Sequence, residues 1–217
     1  MVKQERALRT RQALIRAGAE LFAKEGFVAA SLSTISRTAG VSNGALHFHF
    51  ENKKALAQAV EDEALATLRR IIQEALDRDG RALPVLVDAT YSLVSRIADD
   101  TVVRAGFELG DDPGRGEGAL LRREWQYWVE EMVDRAERDG WLAPGISADD
   151  AATAVVAATV GFEVLGGENK AWLSEGRVKS FWKLILPRLT ERHALVGPAW
   201  ADRGGAVVPV PGADDGT

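Results

Sequence analysis

A chain of 217 residues with 46% hydrophobic content can bury a full core and form one domain, or a small and a larger helical domain sharing a helix. It has no cysteine, which excludes a disulfide framework and any thiolate metal site and is compatible with a reducing cytoplasm. The net charge of −5 hides an asymmetry: residues 1–54 hold nine Lys/Arg against four Asp/Glu, net +5, and the remaining 163 hold 18 against 28, net −10. Such a basic end attracts a polyanion through salt-dependent phosphate contacts, while the acidic remainder opposes indiscriminate adsorption.

Lys3, Arg6, Arg9 and Arg11 form a basic N-terminal arm leading into a helix that the pattern ends near Gly26. Leu14, Gly18, Leu21 and Phe22 recur at helical spacing and define one buried stripe, so this helix is mainly scaffold. Ser31 is placed to cap a second helix in which Leu32, Ile35 and Ala39 face inward, leaving Ser33, Thr34 and Arg37 on the other side. The stretch 39–54, AGVSNGALHFHFENKK, then reads as a helix, a tight turn and a second short helix. Gly40 can take the left-handed conformation that ends the first, and Ser42 can cap the second. Leu46 and Phe50 share a core-facing edge, while Asn43, Gly44, His47 and His49 supply small or hydrogen-bonding surface elsewhere. A helix armed in this way suits the DNA major groove.

Gly40, Val41, Ser42, Gly44, Ala45, Leu46, Phe50 and Lys53 resemble the helix-turn-helix of the TetR family of transcriptional repressors. Within that family GALHFHF is most similar to the GALYFHF of the gamma-butyrolactone receptors, which control antibiotic production in actinomycetes. Asn43 stands where those receptors usually carry lysine and His47 where they usually carry tyrosine. Both departures point toward the receptor-like homologues that answer to antibiotics. By this resemblance Asn43, Gly44 and Ala45 lie against base edges, with Asn43 able to pair bidentately with adenine N6 and N7. His47, His49 and Lys53 contact phosphates, and Lys3, Arg6, Ser33, Thr34, Arg37 and Ser42 complete the DNA-binding set. A His-x-His pair also suits metal, but only Glu51 stands nearby at a useful spacing, and no metal or other cofactor is expected.

From Lys53 a long helix is expected to run to about Arg78, with Leu56, Val60, Leu65, Leu68, Ile72 and Leu76 approximating a stripe. In the family it joins the reading head to a regulatory domain, and a tilt at its far end changes the separation of two recognition helices in a dimer. Asp79-Gly80 breaks the pattern, 83–97 restores it, and Asp99-Asp100 marks another boundary. TVVRAGFELG, 101–110, resembles the VVRAG segment of butyrolactone receptors and extends the likeness beyond the reading head. DDPGRGEG, 111–118, lacks the Gly-Lys-Ser/Thr ending of a phosphate cradle and reads as a loop.

A helix over 117–138 carries Trp125 and Trp128 three residues apart. An indole offers a broad apolar face and one N–H donor, and Trp125 matches a tryptophan lining the ligand cavity of butyrolactone receptors; alternatively the pair is core packing. Thr159, Phe162 and Glu163 from the following helix, with Tyr91 and Phe107, complete the candidate ligand set. Ser147 caps that helix, 147–167, with Asp149 and Asp150 in its first turn. Its apolar run, 151–165, is interrupted by Thr153, Thr159 and Glu163 and is shorter than the ~20 residues a membrane span needs, so it reads as a buried helix. The last helix shows Val178, Phe181, Trp182, Ile185 and Leu189 at helical spacing, up to or across Pro187. Ala154, Ala158, Phe181, Trp182 and Ile185 are candidates for the four-helix dimer interface that the family forms, packing within one subunit being the alternative. Beyond 197, eight Gly or Pro among 21 residues point to a disordered tail.

These readings compose an all-α, TetR-like chain: a DNA-binding domain over 1–52, a ligand-binding and dimerisation domain over 53–196, and a tail over 197–217. An enzyme would need a nucleophile with an oriented base, paired acids or a cofactor motif, and three histidines without convincing partners do not supply one. The expected protein is a cytoplasmic homodimer that binds a pseudo-palindromic operator and is released by a small, largely apolar effector, a butyrolactone-like signal or an antibiotic. A DNA-binding regulator with no small-molecule ligand is the alternative. No basic segment followed by an apolar one opens the chain, so neither a secretory leader nor membrane association is expected.

Overall fold

The computed structural model describes residues 2–77, 80–110 and 119–190, with only the main chain of Val2 and Lys3. The glycine-rich segment 111–118, the first two residues of the helix expected from 117, the expected helix end near Arg78 and the tail over 197–217 lie outside the described residues. Within them the fold is all-α: α1 (Val2–Ala29), α2 (Leu32–Thr38), α3 (Asn43–His49), α4 (Lys53–Leu76), α5 (Ala82–Asp99), α6 (Thr101–Leu109), α7 (Leu120–Arg138), α8 (Ala148–Glu168) and α9 (Glu175–Leu189), with a 3-10 turn at Lys170–Leu173.

Local chemistry sets the helix boundaries. Ser31 accepts from Thr34 N–H, Ser42 from Ala45 N–H, Asn52 from Ala55 N–H and Asp100 from the N–H groups of Val102 and Val103. Ser147 and Asp150 form a reciprocal capping box at the start of α8. The α2–α3 turn is a Schellman motif: Gly40 has φ +69°, its N–H reaches Arg37 O at 3.1 Å, and Val41 N–H reaches Ser36 O at 3.0 Å. The basic arm is itself helical, since α1 begins at Val2, and α1 kinks at Gly26, near the end expected for it. α8 (Ala148–Glu168) is longer than the apolar run 151–165 because it starts at the capping box and continues through residues 166–168. By length and composition alone it would pass for a membrane span, but Ala151, Ala152, Val155, Thr159 and Phe162 are buried in the bundle.

Two hydrophobic cores result. One joins Leu14, Ile15, Phe22, Ile35, Leu46 and Phe50 with Leu56 and Val60 of α4 and Val102, Ala105 and Leu109 of α6. The other gathers the rest of α4 with α5, α7, α8 and α9 around Trp125, Trp128 and Phe162. The division of packing therefore does not follow a cut at residue 52, because α4 and α6 belong to both cores. Val103 and Phe107 of α6 turn into the second core while their neighbours enter the first. Their approach depends on Gly106, where an added Cβ would lie 2.4 Å from Ala64 Cβ.

Candidate functional site

The first site is the outer face of α2 and α3. With Leu46 and Phe50 buried, α3 turns Asn43, Gly44 and His47 outward, while Ala45 and His49 are half-buried at its edge. Among the described residues a Cβ at Gly44 would meet only Ser42 Oγ, at 3.9 Å, so none of them requires glycine there and the space is left to an approaching surface. Ser33 and Arg37 of α2 are exposed beside it, and Thr34 is half-buried with its hydroxyl accepting from Ser31 at 2.9 Å. Ser42 spends its oxygen on the cap and keeps its O–H for an outside acceptor. Arg6 is exposed on α1, Arg9 pairs with Glu5 at 2.9 Å, and Arg11 lies over the Phe50 ring at 5.3 Å. The side chain of Lys3 lies outside the described residues.

Two members of this set also bond within the protein. Lys53 donates to Val28 O and Ala30 O, both at 2.9 Å, and sits 4.7 Å from the Phe27 ring centroid. Two of its three N–H donors thus clamp the α1–α2 turn onto α4, and one is left for a phosphate. Asn43 is engaged as well, its Oδ1 accepting from the hydroxyl of Ser36. Sequence reasoning passed over Phe48, which is 80% exposed and edge-on to His49 with 5.2 Å between ring centroids. Its signal was available: two positions on from the buried Leu46, a helical residue points away from the core. An exposed ring there suits the methyl group of a thymine.

The second site is the candidate effector pocket, built around Trp125 in the α7–α8 core. Trp125 is 2% exposed, its Nε1 donates to Thr159 Oγ1 at 2.9 Å, and Thr159 donates back to Val155 O at 2.9 Å. Trp128 packs on Trp125 with ring centroids 5.2 Å apart, and Phe107 and Phe162 are buried in the same core. One turn along the α7–α8 seam, Arg122 faces Glu163 at 2.7 Å, with Glu163 7% exposed. Tyr91 instead lines a separate cavity of about 210 Å³ between α5 and the start of α9, with Val94, Ser95, Asp99 and Val178. The Trp125 cluster is buried and hydrogen-bonded across α7 and α8, so a ligand that takes the indole N–H has to displace Thr159 from it.

The outer face of α8 and α9 forms an apolar groove of about 380 Å³ through Ala158, Gly161, Leu165, Trp172, Phe181 and Leu184. Ala154 and Ile185 are half-buried, and Leu184 is 72% exposed. Trp182 does not belong to this face. One residue on from Phe181 it is turned by about 100° around the helix, which puts it in the core with Val178 and Leu186, 3% exposed.

Residues 14–60 match the family model of bacterial regulatory proteins of the tetR family. The A-factor receptor protein of Streptomyces griseus is 30% identical over 195 residues, which are 87% of this chain and 67% of that protein. The crystal structure of a gamma-butyrolactone receptor described as an ArpA-like protein superposes with a TM-score of 0.75 at 27% identity, covering 91% of this chain and 97% of that one. CprB from Streptomyces coelicolor, solved in complex with its biological operator sequence, gives a TM-score of 0.73 at 28% identity, covering 88% of this chain and 94% of the other. The capped helix pair falls inside the family segment, and the receptor likeness runs through both cores. The chain belongs to the TetR family of bacterial transcriptional regulators.

Proposed function

We propose that this protein is a homodimeric repressor that binds a pseudo-palindromic operator upstream of antibiotic or other secondary-metabolite genes and leaves it when a small, largely apolar effector binds the α7–α8 core. The observation that carries the DNA half is the outer face of α3: its caps and buried Leu46 hold Asn43, Gly44, His47 and Phe48 outward beside Ser33 and Arg37. CprB, a similar protein, was solved with its own operator, which supports the same use here. The apolar groove on α8 and α9 supports a second copy as its cover, bringing two α3 helices to the two half-sites. The protein acts where the DNA is, in the cytoplasm, as a regulator and not as an enzyme.

The effector half rests on the Trp125 cluster, whose indole N–H donates to the Thr159 hydroxyl, an acceptor that a ligand carbonyl can replace. Likeness to the A-factor receptor and to a gamma-butyrolactone receptor supports a butyrolactone as the ligand; Asn43 and His47 favour an antibiotic. Footprinting on DNA upstream of the protein's own and neighbouring genes, with and without butyrolactones and the host's antibiotics, decides. Protection of a palindrome relieved by one compound class establishes the repressor and names that class. Protection that none relieves favours the second reading, a DNA-binding regulator without effector.

A further inference from the structure

We propose that Ser36 is the positioning residue that sets base preference in the recognition helix, by fixing the side-chain amide of Asn43. The inference rests on the DNA-binding reading above and deepens it. Ser36 lies in α2, is 3% exposed and cannot itself touch DNA. Its carbonyl accepts Val41 N–H and closes the α2–α3 turn, while its hydroxyl reaches across that turn to Asn43 Oδ1 and also lies 3.0 Å from Ser33 O. A hydroxyl has one proton to give. The Ser33 carbonyl sits inside α2, where the helix ladder already supplies an N–H donor, and the contact to Asn43 is the shorter of the two, which favours Asn43 as the proton's acceptor.

An amide oxygen carries two lone pairs. Ser36 takes one and stops rotation about the last side-chain bond of Asn43, leaving the second lone pair and the NH2 group together on the outward edge. That edge complements adenine, accepting from N6 and donating to N7. Without the hydroxyl the amide turns over at little cost. It then offers its NH2 to the N6 donor and its oxygen to N7, both mismatched, so a fixed adenine preference becomes a tolerant one. The main-chain bond to Val41 survives loss of the hydroxyl, so the turn itself is kept.

The test uses the full-length protein and selection from a random duplex pool, with affinities then measured on selected and scrambled duplexes at several salt concentrations. The wild type is expected to prefer adenine at one symmetric pair of positions, and Asn43→Ala to lose that preference. Ser36→Ala should weaken it about 3- to 10-fold at those positions alone, with scrambled-DNA affinity and salt slope unchanged. Ser36→Thr, which keeps a hydroxyl, should restore it, and the Ser36→Ala/Asn43→Ala pair should be no worse than Asn43→Ala. Unchanged base preference in Ser36→Ala, an even loss on all DNA, or failure of Ser36→Thr to restore what Ser36→Ala loses would each overturn the positioning role. A wild type that selects no motif would instead overturn the DNA-binding reading beneath it.

Discussion

In the reading head the polar side chains, buried Ser36 apart, stand outside and cap the main chain, whereas the body also places polar side chains inside, facing one another. Ser31, Ser42 and Asn52 cap helix starts at the surface, and the core beneath them is Leu14, Ile35, Leu46, Phe50 and Leu56. The body buries Thr159 on Trp125 and Glu163 on Arg122 across the α7–α8 seam, and among the described residues leaves Trp182 Nε1 without a hydrogen-bond partner. An unsatisfied buried donor costs about 1–3 kcal/mol and a buried ion pair gains little over apolar packing. The head is thus built to hold one shape for DNA. The body keeps polar groups in its core at a cost in stability, as a region with a second, ligand-bound arrangement would.

The joint between the two is where a change should do most harm. Gly106 lets α6 lie directly on Ala64 of α4, and α6 sends Val102 and Ala105 into one core and Val103 and Phe107 into the other. Gly106→Val has no flexible neighbour to displace, and should destabilise the protein by about 3 kcal/mol. Denaturant unfolding should show both cores failing together. A variant that unfolds the body while the head still binds DNA would show that the cores are not coupled through α6.

Within the body, Arg122→Ala removes the guanidinium that Glu163 faces and should cost about 2–3 kcal/mol, whereas the apolar pair Arg122→Leu/Glu163→Leu should recover most of it. If the single variant is harmless, the seam is not held by charge and the contrast with the head weakens. Trp125→Phe is the gentler probe. A fully buried indole cut to alanine leaves a large cavity, whereas phenylalanine keeps most of the volume and loses the bond to Thr159 and part of the ring, about 2 kcal/mol. Operator binding should persist and effector release should be blunted; unimpaired release would place the effector elsewhere, the Tyr91 cavity being the next candidate.

What could be read from the chain beforehand follows range of interaction. The caps at Ser31, Ser42 and Ser147 and the left-handed Gly40 were legible because a cap or a turn is settled within three or four residues. The inward edges of α1 and α3 were legible because periodicity reports them. Partners far along the chain were not. Nothing local says that Lys53 will reach Val28 and Ala30, or that Tyr91 will line a cavity with α9 apart from Trp125. Phe181 and Trp182 both fit an apolar helix, and only the packing of α9 on α5 decides which of two adjacent residues turns inward.

Lys53 offers the finest test of the contrast, since it decides whether a basic residue of the head serves DNA or the fold. Its motif position marks it as a phosphate contact, but its ammonium is already committed to two carbonyls and an aromatic face that end α1. Those carbonyls lie just past the kink at Gly26, where the helix ladder no longer serves them, so the lysine completes hydrogen bonding that the α1–α2 turn would otherwise lack. Lys53→Met keeps the stem over Phe27 and removes the charge. If the lysine is a clamp, the variant loses about 1 kcal/mol of stability while the slope of log affinity against log salt on operator DNA stays as in the wild type. A phosphate ligand gives the reverse: stability holds and the slope falls by about one unit. The third N–H keeps a mixed outcome within reach of the same data, a smaller loss in each, because one ammonium can donate to two carbonyls and still turn a proton toward the backbone of the duplex.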